Sequence, residues 1–304
     1  MNTIIITGAT GFIGRNLARY AAQQGAEVYA VSRSGLREEP EPGNIHNIIC
    51  SAPDYSGLAD QLPGGADAFI HLAWAGVSPE ERESTGLQEQ NISMSLNAAR
   101  LAAEVGAQRF VVPGSTMEYA AGGRMIDRDT PPSPLNAYSS AKIAVRYMCR
   151  SLCRELELPY IYAVICGIYG GARGGSNVIS YTIDKLLQGE KPSLTSLEQT
   201  WDYVHIDDVV RALYLICLKG QAGAFYGIGR GDNQPLNKYI TTIRDIIDPS
   251  LPLGIGEIPS ENTRRTCSCV NMDSIMADTG YAPQVSFEDG IRGEIELIKK
   301  LRGL

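Results

Sequence analysis

Thr3-Ile4-Ile5-Ile6-Thr7-Gly8-Ala9-Thr10-Gly11-Phe12-Ile13-Gly14 is the stretch on which the fold turns. An isoleucine-rich run long enough for one buried strand is followed at once by three spaced glycines and then by a segment of helical period. Such glycines let the backbone turn tightly and approach a pyrophosphate, whose charge is stabilised by a helix N-terminus. The spacing alone is weak, because 32 glycines in 304 residues produce it by chance roughly 0.3 times. The strand before it and the amphipathic helix after it supply the context. Gly8, Thr10, Gly11, Phe12, Ile13 and Gly14 are therefore expected to cradle a phosphate.

Working outward, short apolar runs alternate with longer helical segments up to about residue 166, the pattern of a parallel sheet with crossover helices. The expected strands cover 3–7, 27–32, 46–50, 68–72, 109–113 and 160–166. The clearest helices cover 12–24, 88–105 and 138–157, the second ending at Gly106, where glycine makes a left-handed cap easily. Right-handed crossovers then give an α/β fold with a doubly wound parallel sheet of Rossmann type. After Cys166 the texture changes to glycine-rich loop, helices near 178–187 and 207–218, and proline-punctuated short elements. The expected organisation is a dinucleotide-binding domain over 1–166 and a smaller C-terminal α/β lobe, mainly substrate-binding, over 167–304. A segment near 204–230, with a strand at 224–228, is expected to return to the main sheet.

Composition narrows the function classes. The hydrophobic share of 44% is enough for a sizeable core, and 27 basic against 34 acidic residues leave a net charge of −7 with no basic run. Nucleic acid is excluded as an expected partner. No apolar stretch approaches the ~18 residues of a membrane span and no leader pattern is present, so a cytoplasmic location is expected. Seven cysteines, an odd number, include no C-x-x-C pair and are read as reduced thiols. With three histidines far apart in sequence, no metal site is expected.

Two further features point to chemistry. At the end of the second strand, Ser32-Arg33 stands where an acid would hold the ribose 2′-hydroxyl of NAD, and a hydroxyl with a guanidinium suits a 2′-phosphate instead. NADP(H) is favoured, with NAD(H) as the alternative. Tyr138-x-x-x-Lys142 places a phenol and an ammonium on one helical face near the carboxyl edge of the sheet, where the ammonium lowers the phenol pKa. Tyr181-x-x-x-Lys185 has the same spacing but lies beyond the sixth strand, so it is read as ordinary helix packing. Ser115, at the end of the fifth strand, is placed to hydrogen-bond a substrate carbonyl beside the tyrosine.

Taken together, TGATGFIG at 7–14, His71-Leu72-Ala73, Ser115 with Tyr119, Tyr138-x-x-x-Lys142, Ile168-Tyr169-Gly170, Asp202-Tyr203-Val204-His205-Ile206-Asp207-Asp208 and Gly280-Tyr281-Ala282-Pro283 resemble the extended short-chain dehydrogenase/reductase family. More narrowly, they resemble its NAD-dependent epimerase/dehydratase group, which modifies nucleotide sugars. The resemblance implies Ser115, Tyr138 and Lys142 as the catalytic set, with Lys142 also on the nicotinamide ribose. It implies Leu72 and Ala73 along the cofactor, and Thr116 and Asn177 toward the sugar nucleotide. Where many relatives carry a diphosphate-binding arginine this chain has Trp201, which is read either as a stacking surface for base or sugar or as a core residue. Arg264 or Arg265 is then expected to supply the missing charge. Ser51 stands where relatives have an adenine-contacting aspartate, and Val164 where an arginine is frequent.

The leading expectation is NADPH-dependent reduction of a nucleotide-linked 4-keto-6-deoxysugar. The alternatives are a C4 epimerase holding NAD tightly and, least, a non-catalytic dinucleotide sensor, against which the intact Ser115, Tyr138 and Lys142 argue. A 4,6-dehydratase is disfavoured, because the related dehydratases place Asp-Glu directly after the catalytic hydroxyl and this chain has Thr116 and Met117, with Glu118 one residue late. The oligomeric state is left open, a homodimer included.

Overall fold

The fully buried triplet Ile4, Ile5 and Ile6 begins a chain that a computed structural model describes over residues 2–36, 43–51, 53–119, 124–171, 177–259 and 267–303. Each such side chain contributes about 1.5–3 kcal/mol when removed from water. A strand that is apolar on both faces belongs in the middle of a parallel sheet with helices on either side. That is where β1 (Thr3–Thr7) lies, between β2 (Glu27–Ser32) and β4 (Ala68–His71), with Ile5 opposite both Tyr29 and Phe69. Helix α1 (Phe12–Gln23) follows the glycine loop and buries Leu17, Ala18, Ala21 and Ala22, neighbours on one helical face. Outside β2 lies β3 (Ile45–Ile49).

On the other side the order continues through β5 (Phe110–Ser115) and β6 (Tyr160–Ile165), connected by α2 (Thr85–Glu104) and α3 (Ala137–Glu155). The second half of the described chain contains β7 (Gly167–Tyr169), α4 (Val178–Leu187), β8 (Ser193–Leu194), β9 (Thr200–Trp201) and β10 (Tyr203–His205). It continues with α5 (Ile206–Lys219), β11 (Phe225–Ile228), β12 (Gln234–Pro235), α6 (Leu236–Ile247), β13 (Gly254–Ile255), β14 (Cys267–Ser268), α7 (Asp273–Thr279) and α8 (Phe287–Arg302). β11 joins β6, completing a seven-stranded sheet of order β11-β6-β5-β4-β1-β2-β3. All of its pairings are parallel. The order reverses between β1 and β4, so a crevice opens at their carboxyl ends, the switch point where such sheets hold ligands.

The expected strands and helices are present with shifted ends. β3 starts one residue earlier and stops at Ile49, β5 runs on to Ser115, and α2 begins at Thr85 rather than 88. β5 is longer because its pairing with β6 continues to Ser115 opposite Ile165, a tertiary pairing that overrides the Pro113-Gly114 break signal.

Two apolar clusters form. One covers both faces of the sheet, and the other joins Ile179 and Ile183 of α4, Tyr239 and Ile240 of α6, and Phe287 and Ile291 of α8. Val270, Ile275 and Tyr281 return to the first cluster, carrying α7 against β11. Among the described residues no helix is long and apolar enough to cross a membrane, and no group of three histidine, cysteine or acidic side chains is gathered to hold a metal. Cys50, Cys149, Cys153, Cys166, Cys217 and Cys269 are not joined in disulfides.

Candidate active site

The crevice is built first from the glycine loop. Gly8 has φ of +71°, and a Cβ there would stand 2.5 Å from the Ala73 backbone nitrogen at the end of β4. A Cβ on Gly14 would collide with the Gly8 carbonyl, so α1 approaches the sheet only because residue 14 has none. Gly11 caps α1 with no side-chain hydrogen bond, and the first turn carries no acid. No Gly11 side chain and no first-turn carboxylate therefore competes for the N-terminus of α1, as anion binding there requires. A cavity of about 440 Å³ runs from this loop along Ser32 and Arg33, and past Leu72 and Ala73. No carboxylate among the described residues lines it. Ser32 is buried and its Oγ accepts the Gly35 N–H at 3.0 Å, which shapes the turn after β2, while Arg33 is exposed on the cavity rim. These residues fit a dinucleotide.

A second cavity, about 430 Å³, adjoins it and is lined by Phe12, Ile13, Ser115, Thr116, Tyr138 and Lys142 among others. Tyr138 reaches it because Asn136 starts α3, its Oδ1 accepting the Ser139 N–H at 2.9 Å, which puts Tyr138 in the first turn and Lys142 one turn later. The Lys142 ammonium donates to the Pro113 carbonyl at 3.2 Å, lies 3.6 Å from the centre of the Trp74 indole and 5.9 Å from that of the Tyr138 ring. Burial lowers its pKa to about 8, opposed by the charge of Glu118. Ser115 Oγ accepts the Met117 N–H at 3.2 Å and keeps its own hydrogen to donate. His71 also lines this chamber but is held by Thr7 Oγ1 at 2.8 Å and Ser95 Oγ at 3.1 Å, and burial lowers its pKa to about 3, so it is neutral.

Two residues at this site, Trp74 and Arg82, escaped the sequence reading, and a third, Glu118, entered it only as an acid one residue late. Trp74 lines both cavities, its ring edge-on to Tyr138 at 5.8 Å and its Nε1 donating to Gln88 Oε1 at 3.1 Å. Arg82, from the connection between β4 and α2, lies with its guanidinium carbon 5.5 Å from the centre of the Tyr138 ring. Glu118 is wholly buried behind Ser115, its Oε1 accepting the Ser115 N–H at 2.6 Å and the Tyr162 hydroxyl at 2.8 Å. The only signal for Trp74 and Arg82 was that the loop follows the strand carrying the cofactor motif.

Of the remaining expected residues, Trp201 lines the chamber and also stacks on Tyr203, with centroids 5.7 Å apart and planes at 15°. Asn177 lines neither cavity: its side chain caps α4 by accepting the Ser180 N–H at 2.9 Å. The cap uses Oδ1 and leaves the Asn177 amide nitrogen, two donors, outside that bond. Arg264 and Arg265 lie outside the described residues. In the Asp202 to Asp208 motif, both terminal carboxylates are backbone ties. Asp202 accepts N–H bonds from Arg230 and Gly231, and Asp208 accepts them from Gln284 and Val285 while pairing with Arg211 at 2.6 Å.

A doubly wound sheet, an uncapped glycine loop at its switch point, and a tyrosine and lysine beside a hydroxyl at the next strand end define a dinucleotide-dependent enzyme. Residues 4–229 match the model of the NAD dependent epimerase/dehydratase family, and the chain belongs to that family. It is 25% identical to a dTDP-glucose 4,6-dehydratase of Haemophilus influenzae, covering 97% of each chain. Against dTDP-glucose 4,6-dehydratase 1 of Escherichia coli it is 26% identical, over 96% of this chain and 91% of that one. Among solved structures, it is similar to DesIV, a dTDP-glucose 4,6-dehydratase of Streptomyces venezuelae with NAD and TYD bound, at a TM-score of 0.86 and 21% identity over 99% of this chain and 98% of that one. A UDP-glucose 4-epimerase of Thermotoga maritima with UDP-glucose gives 0.84 and 22%, over 99% of both.

Proposed function

We propose that the protein is an NADPH-dependent reductase of a nucleotide-linked 4-keto-6-deoxysugar, with the 167–304 region contributing mainly to substrate binding. The observation that carries this reading is the absence, among the described residues, of any carboxylate lining either cavity. In the first, no acid among the described residues is available to hold a ribose 2′-hydroxyl, and Arg33 on the rim can offer a 2′-phosphate a cation. In the second, the described residues supply no acid and base for a 4,6-elimination: Thr116 and Met117 line the chamber, and the Glu118 carboxyl is held in the wall by the Ser115 N–H and the Tyr162 hydroxyl. The relatives named as nucleotide-sugar enzymes support the substrate class.

A bound dinucleotide supplies the hydride. Tyr138 gives its phenolic proton to the oxygen at C4 as the carbonyl becomes an alcohol, so one hydride and one proton are added in total. The Lys142 ammonium stabilises the phenolate left behind and would hold the ribose of a bound dinucleotide. Ser115 donates its hydroxyl hydrogen to the same carbonyl oxygen and fixes its direction. The test supplies NADPH with a panel of nucleotide 4-keto-6-deoxyhexoses, and separately a panel of nucleotide hexoses with no added cofactor. Stoichiometric NADPH oxidation in the first is expected. Interconversion of C4 epimers in the second, with no net cofactor turnover in either, would refute reduction in favour of epimerisation.

A further inference from the structure

The chamber beside Tyr138 carries a charge imbalance. Two cations line it, Lys142 and Arg82, and among the described residues no carboxylate does. Lys142 is engaged by the Pro113 carbonyl and the Trp74 ring. Arg82 lies over the Tyr138 ring, and its Nε is buried with no hydrogen-bond partner among the described residues. Although Glu81 and Glu83 adjoin it on the same short 3₁₀ turn, Glu81 is occupied with the Ser78 N–H, and neither forms an ion pair with Arg82. Arg82 as a whole is half-buried, but a buried N–H donor without an acceptor is costly, so this Nε–H calls for an oxygen acceptor from outside the chain.

The position of that acceptor follows from the proposed chemistry, on which this inference rests. If Tyr138 delivers its proton to the C4 oxygen, a cation stacked over the tyrosine ring lies beside the sugar carbons flanking C4. We propose that Arg82 sets the charge class of the sugar: it takes a hydroxyl or carboxylate oxygen on the ring and, together with Lys142, excludes sugars bearing a free ammonium. An ammonium meets two like charges and offers only donors to a group that has only donors.

The probes are uridine and thymidine diphosphate sugars carrying glucose, glucuronate or 3-amino-3-deoxyglucose with its amine free. Each is titrated calorimetrically into the purified full chain at a pH that keeps the amine protonated. The 3-amino derivative is expected to bind roughly ten-fold more weakly than the glucose one, as one unit-charge repulsion across a partly solvated site implies, and glucuronate at least as tightly as glucose. Arg82→Gln should narrow the gap and Arg82→Lys should restore most of it. Equal affinity for the amine and the neutral sugar in the unmodified protein would overturn the inference. So would a gap unchanged in Arg82→Gln, including one accompanied by a shifted pH profile of turnover, which would assign Arg82 to Tyr138 alone. Failure of the reductase assay leaves this binding order measurable, whereas failure of every nucleotide sugar to bind would remove both readings.

Discussion

Replacing Glu118 with glutamine isolates the energy of one buried charge. The carboxyl is fully buried, Oε1 holds the Ser115 N–H and the Tyr162 hydroxyl, and Oε2 has no partner among the described residues. Burial raises its pKa to about 7 from 4.5, against the opposing pull of the Ser115 N–H, Tyr162, Lys142 and Arg146. Because the folded value lies above the unfolded one, the stability contributed is fully present below about pH 4.5 and is lost as pH rises through about 7. A shift of this size corresponds to about 3 kcal/mol. Glutamine keeps a carbonyl oxygen for both donors and does not ionise. The stability of Glu118→Gln relative to the unmodified protein should therefore rise by up to about 3 kcal/mol between about pH 5 and pH 8. The figure already contains the attraction of the carboxylate for Lys142 and Arg146, which holds the shift down. Urea unfolding of both proteins across that range measures the difference, and the titrations of groups that do not interact with residue 118 cancel. A constant difference, or one moving in favour of the unmodified protein as pH rises, would refute the reasoning and mean that Glu118 is ionised and well compensated in the fold.

Tyr138→Phe removes the transferable proton with little change of shape, so turnover should fall by roughly 10²-fold or more while cofactor still binds, whereas Tyr181→Phe should leave turnover nearly untouched. Identical behaviour of the two variants in steady-state kinetics would sink the assignment. Calorimetric titration should show tighter binding of NADP(H) than NAD(H), with Arg33→Asp erasing or reversing the preference; equal affinities in the unmodified protein would count against Arg33 as the selecting residue. Asp208→Ala leaves the Gln284 and Val285 N–H groups and the Arg211 guanidinium without their acceptor, and should cost about 3 kcal/mol or more. A melting temperature unchanged from the parent would show that this carboxylate does not tie down residues 284–285.

The sheet was legible because its signals are local. Ile4 to Ile6 mark a strand buried on both faces, Gly8 and Gly14 mark a close approach of backbone to backbone, and right-handed crossovers restrict how such units assemble. The pairing of Tyr138 with Lys142 was readable for the same reason, since four residues make one helical turn and Asn136 supplies the cap that starts it.

What only the tertiary structure decided lies where chain distance and spatial distance part. Residues 72–84 have no period to read, yet the parallel crossover from β4 to α2 folds them back over α3, bringing Trp74 against Lys142 and Arg82 over Tyr138. Glu118 looks like a solvent-facing acid one residue out of place, until the pairing of β5 with β6 seats it against Tyr162, forty-four residues away, in a core that raises its pKa. Asp202 and Asp208 carry a motif that marks the family resemblance, and the fold spends both on backbone N–H groups of distant loops. Periodicity and turn chemistry determine which elements form, because their interactions lie within a few residues. Whether an ionisable side chain meets water, a ring or another charge depends on long-range packing, and that is what sets the character of this site.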